Sequence, residues 1–113
     1  MAHVLLVVPD SDLRRSLDFA LRAEGHVLSC RASLDGEPIP AQFDCTILDE
    51  QAVGAYLKQG LSFCRAFRPV LLLASSAEHP LSGAAFRTVL KPMLGPALSD
   101  ALSEALRTSH LTT

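Results

Sequence analysis

The 113-residue sequence predicts one α/β domain: a five-stranded, doubly wound parallel sheet with helices on both faces. Three observations predict it. Short aliphatic runs alternate with amphipathic segments, and the runs VLLVV (4–8) and VLLLA (70–74) lack the polar alternation of a half-exposed strand. The hydrophobic share of 49% suffices for one core, and the length is too small for two.

The first strand, 4–8, stops at Pro9, and a helix follows over 12–24. Leu13, Leu17, Ala20 and Leu21 fall on its inner face, and Arg14, Arg15, Asp18 and Arg22 fall largely outside. The arginines form a solvated face in preference to a basic binding strip. Asp10 or Ser11 can cap the helix start, Asp10 being the preferred capping residue, and Gly25 is placed as its C′ residue. HVLSC (26–30) makes a weaker second strand. DGEPIPAQ (35–42) carries Pro38 and Pro40 and leaves room for a turn of helix at most. FDCTILD (43–49) is the third strand, and 52–67 a helix weakened by Gly54 and Gly60, closed by Arg68-Pro69. After the fourth strand (70–74), SSAEHPLSG allows only a short helix. A fifth strand at 86–90 precedes a last helix over about 96–107, with Leu98, Ala101, Leu102, Ala105 and Leu106 on its buried face. Right-handed crossovers put every strand's carboxyl end on one edge, where such sheets carry their chemistry.

Net charge is -2, so neither nucleic acid nor an anionic membrane is the expected partner. No apolar run approaches the roughly 20 residues of a membrane span and no signal sequence opens the chain, which points to the cytoplasm. Cys30, Cys45 and Cys64 have no metal or redox spacing and read as small buried hydrophobes; a thiol switch at Cys30 or Cys45 is a third function class. The four histidines show no i, i+4 ligand pairing, and no glycine-rich phosphate loop or nucleophile elbow is present, so an enzyme is not expected.

The succession of strand, turn and LRRSL helix ending EGH, then FDCTILD, RPVLLLAS, and VLKP before the last amphipathic helix, resembles the receiver domain of bacterial response regulators over essentially the whole chain. That resemblance implies strand order 2-1-3-4-5, a phospho-acceptor position at Asp49 and a phosphate-contacting lysine position at Lys91. It also implies an acidic, Mg²⁺-binding pair after the first strand. Laid on without a gap, that pair falls on Val8 and Pro9, which offer no side-chain ligand. The hydroxyl position after the fourth strand falls on Ala74. Ser75 follows, but successive strand residues point to opposite faces, so it is not a direct replacement. The aromatic switch position falls on Thr88. The helical connections after the second, third and fourth strands are short for the family.

The preferred expectation is a degenerate receiver that has lost metal-dependent phosphorylation, uses no cofactor and acts by binding protein. Histidine kinase, output domain and a second copy are the partner classes, through the face formed by the fourth connection, the fifth strand and the last helix. Asp49 and Lys91 would form a partly exposed ion pair worth ~0 to 1 kcal/mol, or stand as inherited surface charges. The alternative is a working phospho-acceptor in which Asp10, Asp12 or Glu50 replaces the missing Mg²⁺ ligands.

Overall fold

The computed structural model describes residues 2–34, 42–91 and 96–111. Five strands, β1 (His3–Val7), β2 (Val27–Arg31), β3 (Cys45–Asp49), β4 (Val70–Ala74) and β5 (Arg87–Leu90), pair in parallel in the order β2-β1-β3-β4-β5. The helices are α1 (Ser11–Ala23), α2 (Glu50–Val53), α3 (Leu57–Ala66) and α4 (Ala97–Leu111). The expected doubly wound sheet and its strand order are both found.

Burial explains the strand compositions. β3 and β4 are buried at every position and β1 at all but His3, because each lies inside the sheet with both faces covered. Val4, Leu6, Val8, Ile47, Leu71 and Leu73 meet Leu21 of α1 and Leu98, Ala101, Leu102 and Ala105 of α4 on one face. On the other, Leu5, Val7, Leu48, Leu72 and Ala74 meet Val53, Phe63, Cys64 and Leu81. β2 and β5 are the edges and mix exposed with buried positions, which is why their sequence signals are weaker.

Asp10 caps α1: its Oδ1 accepts from the N–H of Asp12 at 2.9 Å and of Leu13 at 3.1 Å. At the other end Gly25 takes φ +95°, its N–H donates to Arg22 O at 3.0 Å, and His26 N–H donates to Leu21 O at 3.2 Å. This double bond pattern is the Schellman stop that the glycine predicts.

Several expectations are corrected. The helix expected over 52–67 is two helices, because Asp49 caps a short α2 directly at the strand end and Gly54, at φ +53°, turns the chain before α3 begins. No helix forms between β4 and β5; residues 77–84 fold as turns around Pro80. The last helix runs on to Leu111, since neither glycine nor proline follows Arg107 to stop it. Ala20 is exposed and not part of the inner face of α1, and Cys30 is exposed because β2 is an edge strand. The turn expected within 35–42 lies almost entirely outside the described residues.

Candidate functional site at the carboxyl edge of the sheet

All five strands point their carboxyl ends to one edge, and there the register brings together residues distant in sequence. Asp49 stands opposite Leu73, and Ala74 opposite Leu90. Lys91 continues that ladder by donating its N–H to Ala74 O at 2.9 Å. Its four-carbon stem then spans β4, and Nζ meets Asp49 Oδ1 at 2.7 Å. The same oxygen accepts the N–H of Gln51 at 3.0 Å, so one carboxylate oxygen both caps α2 and holds the lysine.

The pair is more deeply placed than expected: the Asp49 side chain is 0% exposed and that of Lys91 21%. Backbone geometry accounts for this, since Asp49 is the last residue of the central strand β3. Asp49 Oδ2 is buried without a hydrogen-bond partner among the described residues. That oxygen is the least satisfied acceptor of the cluster.

Glu50 turns from the start of α2 toward the end of β4. Its Oε2 accepts the Ser75 N–H at 2.7 Å and the Ser75 hydroxyl at 2.8 Å, and lies 4.0 Å from Lys91 Nζ. Desolvation opposes the charged form of this carboxyl, but the two Ser75 donors and the Lys91 ammonium outweigh it and hold its pKa below the usual value. Four of the predicted residues, Asp49, Glu50, Ser75 and Lys91, thus form one network.

The turn after β1 is organised differently. Val8 is buried, and its carbonyl accepts from Arg14 Nη1 at 2.7 Å, with the Pro9 carbonyl at 3.2 Å from the same nitrogen. Asp10 commits Oδ1 to the helix cap, and Asp12 is exposed in the first turn of α1. Neither joins the Asp49 network through any hydrogen bond described. Ala74 is buried at the end of β4. Thr88 donates its hydroxyl to Ser82 Oγ at 3.1 Å, tying β5 to the turn before it.

Arg14 is the residue that sequence reasoning missed. Helical side chains lean toward the N-terminus, so an arginine four residues after the cap reaches back to the strand-end carbonyls. Arg22 is likewise no purely solvated charge: Nε binds Asp18 at 2.6 Å and Nη2 donates to Leu28 O at 3.0 Å. Arg15 and Arg22 are exposed as the solvated face requires, and Arg14 is half-buried.

No family model matches this sequence, and no curated protein matches it. Solved structures do. The chain is similar to a response regulator receiver domain protein from Clostridium thermocellum, with TM-score 0.81, 19% identity and both chains covered in full. TrrA from Thermotoga maritima, solved with Mg²⁺ and BeF, matches at TM-score 0.73 and 21% identity over 94% of this chain and 100% of that one. CheY4 from Vibrio cholerae matches at TM-score 0.71 and 25% identity over 94% and 99%. This chain has the receiver-domain fold.

Within this receiver fold the thiols sit away from the network. Burial pushes the Cys45 thiol up to about 12 and the Cys64 thiol up to about 11, which suppresses thiolate at neutral pH. Partial burial and the nearby Asp18 carboxylate also raise Cys30. No described helix is long and apolar enough to cross a membrane.

Proposed function

We propose that this chain is a degenerate receiver module that signals by binding another protein, without Mg²⁺-dependent phosphorylation of Asp49. The observation that carries the reading is the composition of the turn after β1. The positions where the resemblance implies an acidic pair are Val8 and Pro9, and Arg14 already bonds both of their carbonyls.

Mg²⁺ needs about six oxygen ligands at roughly 2.0 to 2.1 Å. The donors at this edge do not fit that demand. A guanidinium occupies the strand-end carbonyls and repels a second cation, Asp10 is engaged in its cap, and Glu50 is engaged by Ser75. Among the described residues no group of three or more His, Cys, Asp or Glu side chains is arranged to hold a metal ion.

Partner docking takes place on the face built from the turns before β5, β5 itself and α4. Arg87 bridges to Glu104 of α4 at 2.7 Å, fixing a charged pair on that face, and Leu90 is a half-exposed leucine at the edge strand's end. A histidine kinase, an output domain and a second copy of the chain are the partner classes.

Acetyl phosphate with Mg²⁺, followed by intact mass, tests the reading, with amide shifts in beryllofluoride as a second measure. The expected result is no phosphoryl adduct and no shift centred on Asp49. Stoichiometric modification of Asp49 refutes it and establishes the second reading, a working phospho-acceptor with displaced ligands. The unpartnered Asp49 Oδ2 is the observation that favours that second reading.

A further inference from the structure

A groove of about 420 Å³ runs between α3 and the turns before β5, lined by Leu61, Arg65, Arg68, Pro80, Gly83 and Ala84. Arg68 leads into β4 and Ala84 into β5, so the groove lies at the amino edge of the sheet, opposite the edge that carries Asp49 and Lys91. Its walls are held in place by packing. A Cβ at Gly60 of α3 would stand 2.9 Å from Leu81 Cδ1, so the bare glycine lets the buried Leu81 seat on the helix and draws Pro80, Gly83 and Ala84 alongside it. The turn is closed by the Ala84 and Ala85 N–H groups, which donate to Leu81 O at 3.0 and 3.1 Å. Phe67 fixes the end of α3, its ring stacked on Phe63 with centroids 4.3 Å apart.

The charge of the groove has one sign. Residues 51–77 carry Lys58, Arg65 and Arg68 and no Asp or Glu, in a chain whose net charge is -2. Arg65 and Arg68 are exposed, and neither makes an ion pair among the described residues. Asp44 and Arg68 each precede the paired residues Thr46 and Val70 by two positions, yet the Asp44 carboxylate is engaged by the His3 N–H at 2.8 Å. Arg65 complements the dipole at the carboxyl end of α3, which accounts for one of the two cations. Arg68 lies beyond the helix and has no such role. Two guanidiniums from different elements thus flank apolar Leu61, Pro80 and Ala84 with their donors free.

We propose that this groove docks an acidic peptide segment of a partner protein, with Arg65 and Arg68 each binding a carboxylate and the surface of Leu61, Pro80 and Ala84 covering an apolar side chain between them. Charge complementarity selects the occupant: each planar guanidinium fork matches a carboxylate, and the apolar lining, which offers nothing to a bare inorganic anion, suits a peptide that alternates acidic and apolar residues. Neither β5 nor α4 lines the groove. The inference therefore goes beyond the proposed function and stands whether or not Asp49 accepts a phosphoryl group.

The test is a titration of the full ¹⁵N-labelled chain with the blocked peptide acetyl-Asp-Leu-Glu-Leu-Asp-amide, following the Gly83 and Ala84 amides and the Arg65 and Arg68 Nε–H signals. Saturable shifts centred on the groove are expected, with affinity at least roughly tenfold above that of the neutral peptide acetyl-Asn-Leu-Gln-Leu-Asn-amide. The double variant Arg65→Gln/Arg68→Gln, altered only at exposed side chains, loses that preference. Gly83→Glu is the second variant: a Cβ there meets no atom within 4 Å, so the added carboxylate enters the groove without a clash and competes with the peptide, weakening it. The proposal is overturned if the acidic peptide gives no saturable shift, if the neutral peptide binds equally well, if the shifts centre elsewhere, or if either variant binds as the wild type does. Inorganic phosphate at matched ionic strength is the last arm, and shifts of the same residues that saturate at lower concentration than with the peptide mark a simple anion site and also overturn it. None of these outcomes involves acetyl phosphate or Mg²⁺, so they are separate from the result on Asp49.

Discussion

Replacing Lys91 by methionine leaves the Asp49 carboxylate buried with one hydrogen bond, from the Gln51 N–H at 3.0 Å, and no cation on it. Breaking one side of a fully buried ion pair costs about 3 to 5 kcal/mol, because the remaining charge loses its partner and does not regain water. Lys91 is 21% exposed and the site lies at the sheet edge, so some water reaches the vacated space and the expected cost falls to about 2 to 4 kcal/mol. Asp49→Asn is different in kind. It removes the buried charge, keeps an oxygen to cap α2, and leaves Lys91 close to Glu50, so its cost is about 1 kcal/mol or less. The double variant recovers most of what Lys91→Met loses. Urea unfolding followed by circular dichroism at neutral pH measures all three. A Lys91→Met cost below about 1 kcal/mol, or equal costs for the two single variants, refutes the assignment of a buried, lysine-dependent carboxylate.

Arg14→Ala removes the donor to the Val8 and Pro9 carbonyls and is expected to destabilise by about 1 to 2 kcal/mol, whereas Arg15→Ala stays within about 0.5 kcal/mol in the same denaturation assay. Glu50 titrates below its usual value in the folded chain, so its contribution is present above the ordinary carboxylate range and is lost as pH falls through the depressed value; Glu50→Gln flattens that part of a stability–pH curve. A thiol reagent applied to the native protein labels Cys30 first, and Cys45 and Cys64 react only on the timescale of unfolding, as peptide mass mapping after short exposure would show.

Much of the fold is legible in the sequence because periodicity is a local property. VLLVV and VLLLA announce strands buried on both faces, Gly25 marks the stop of α1 and Asp10 its start. Gly54 is visible too, but its effect on the chain direction is not legible from its position. A glycine inside a helical pattern lowers propensity only slightly, whereas at φ +53° it redirects the chain, and only the backbone distinguishes the two cases. The exposure of Cys30 and the weak pattern of β2 both follow from an edge position, which is a property of strand order and not of the strand.

At the candidate site, the sequence alone determined which side chains stand at the strand ends: Val8 and Pro9 after β1, Asp49 and Glu50 at β3, Ser75 after β4 and Lys91 after β5. It did not determine who bonds whom. That Lys91 reaches a wholly buried Asp49, that Glu50 takes both donors of Ser75, and that Arg14 turns back onto the β1 carbonyls were decided by tertiary structure. The physical reason is that these partnerships depend on strand register and on how deeply each carboxylate is buried. Burial sets the strength of each charge, and burial belongs to the assembled sheet.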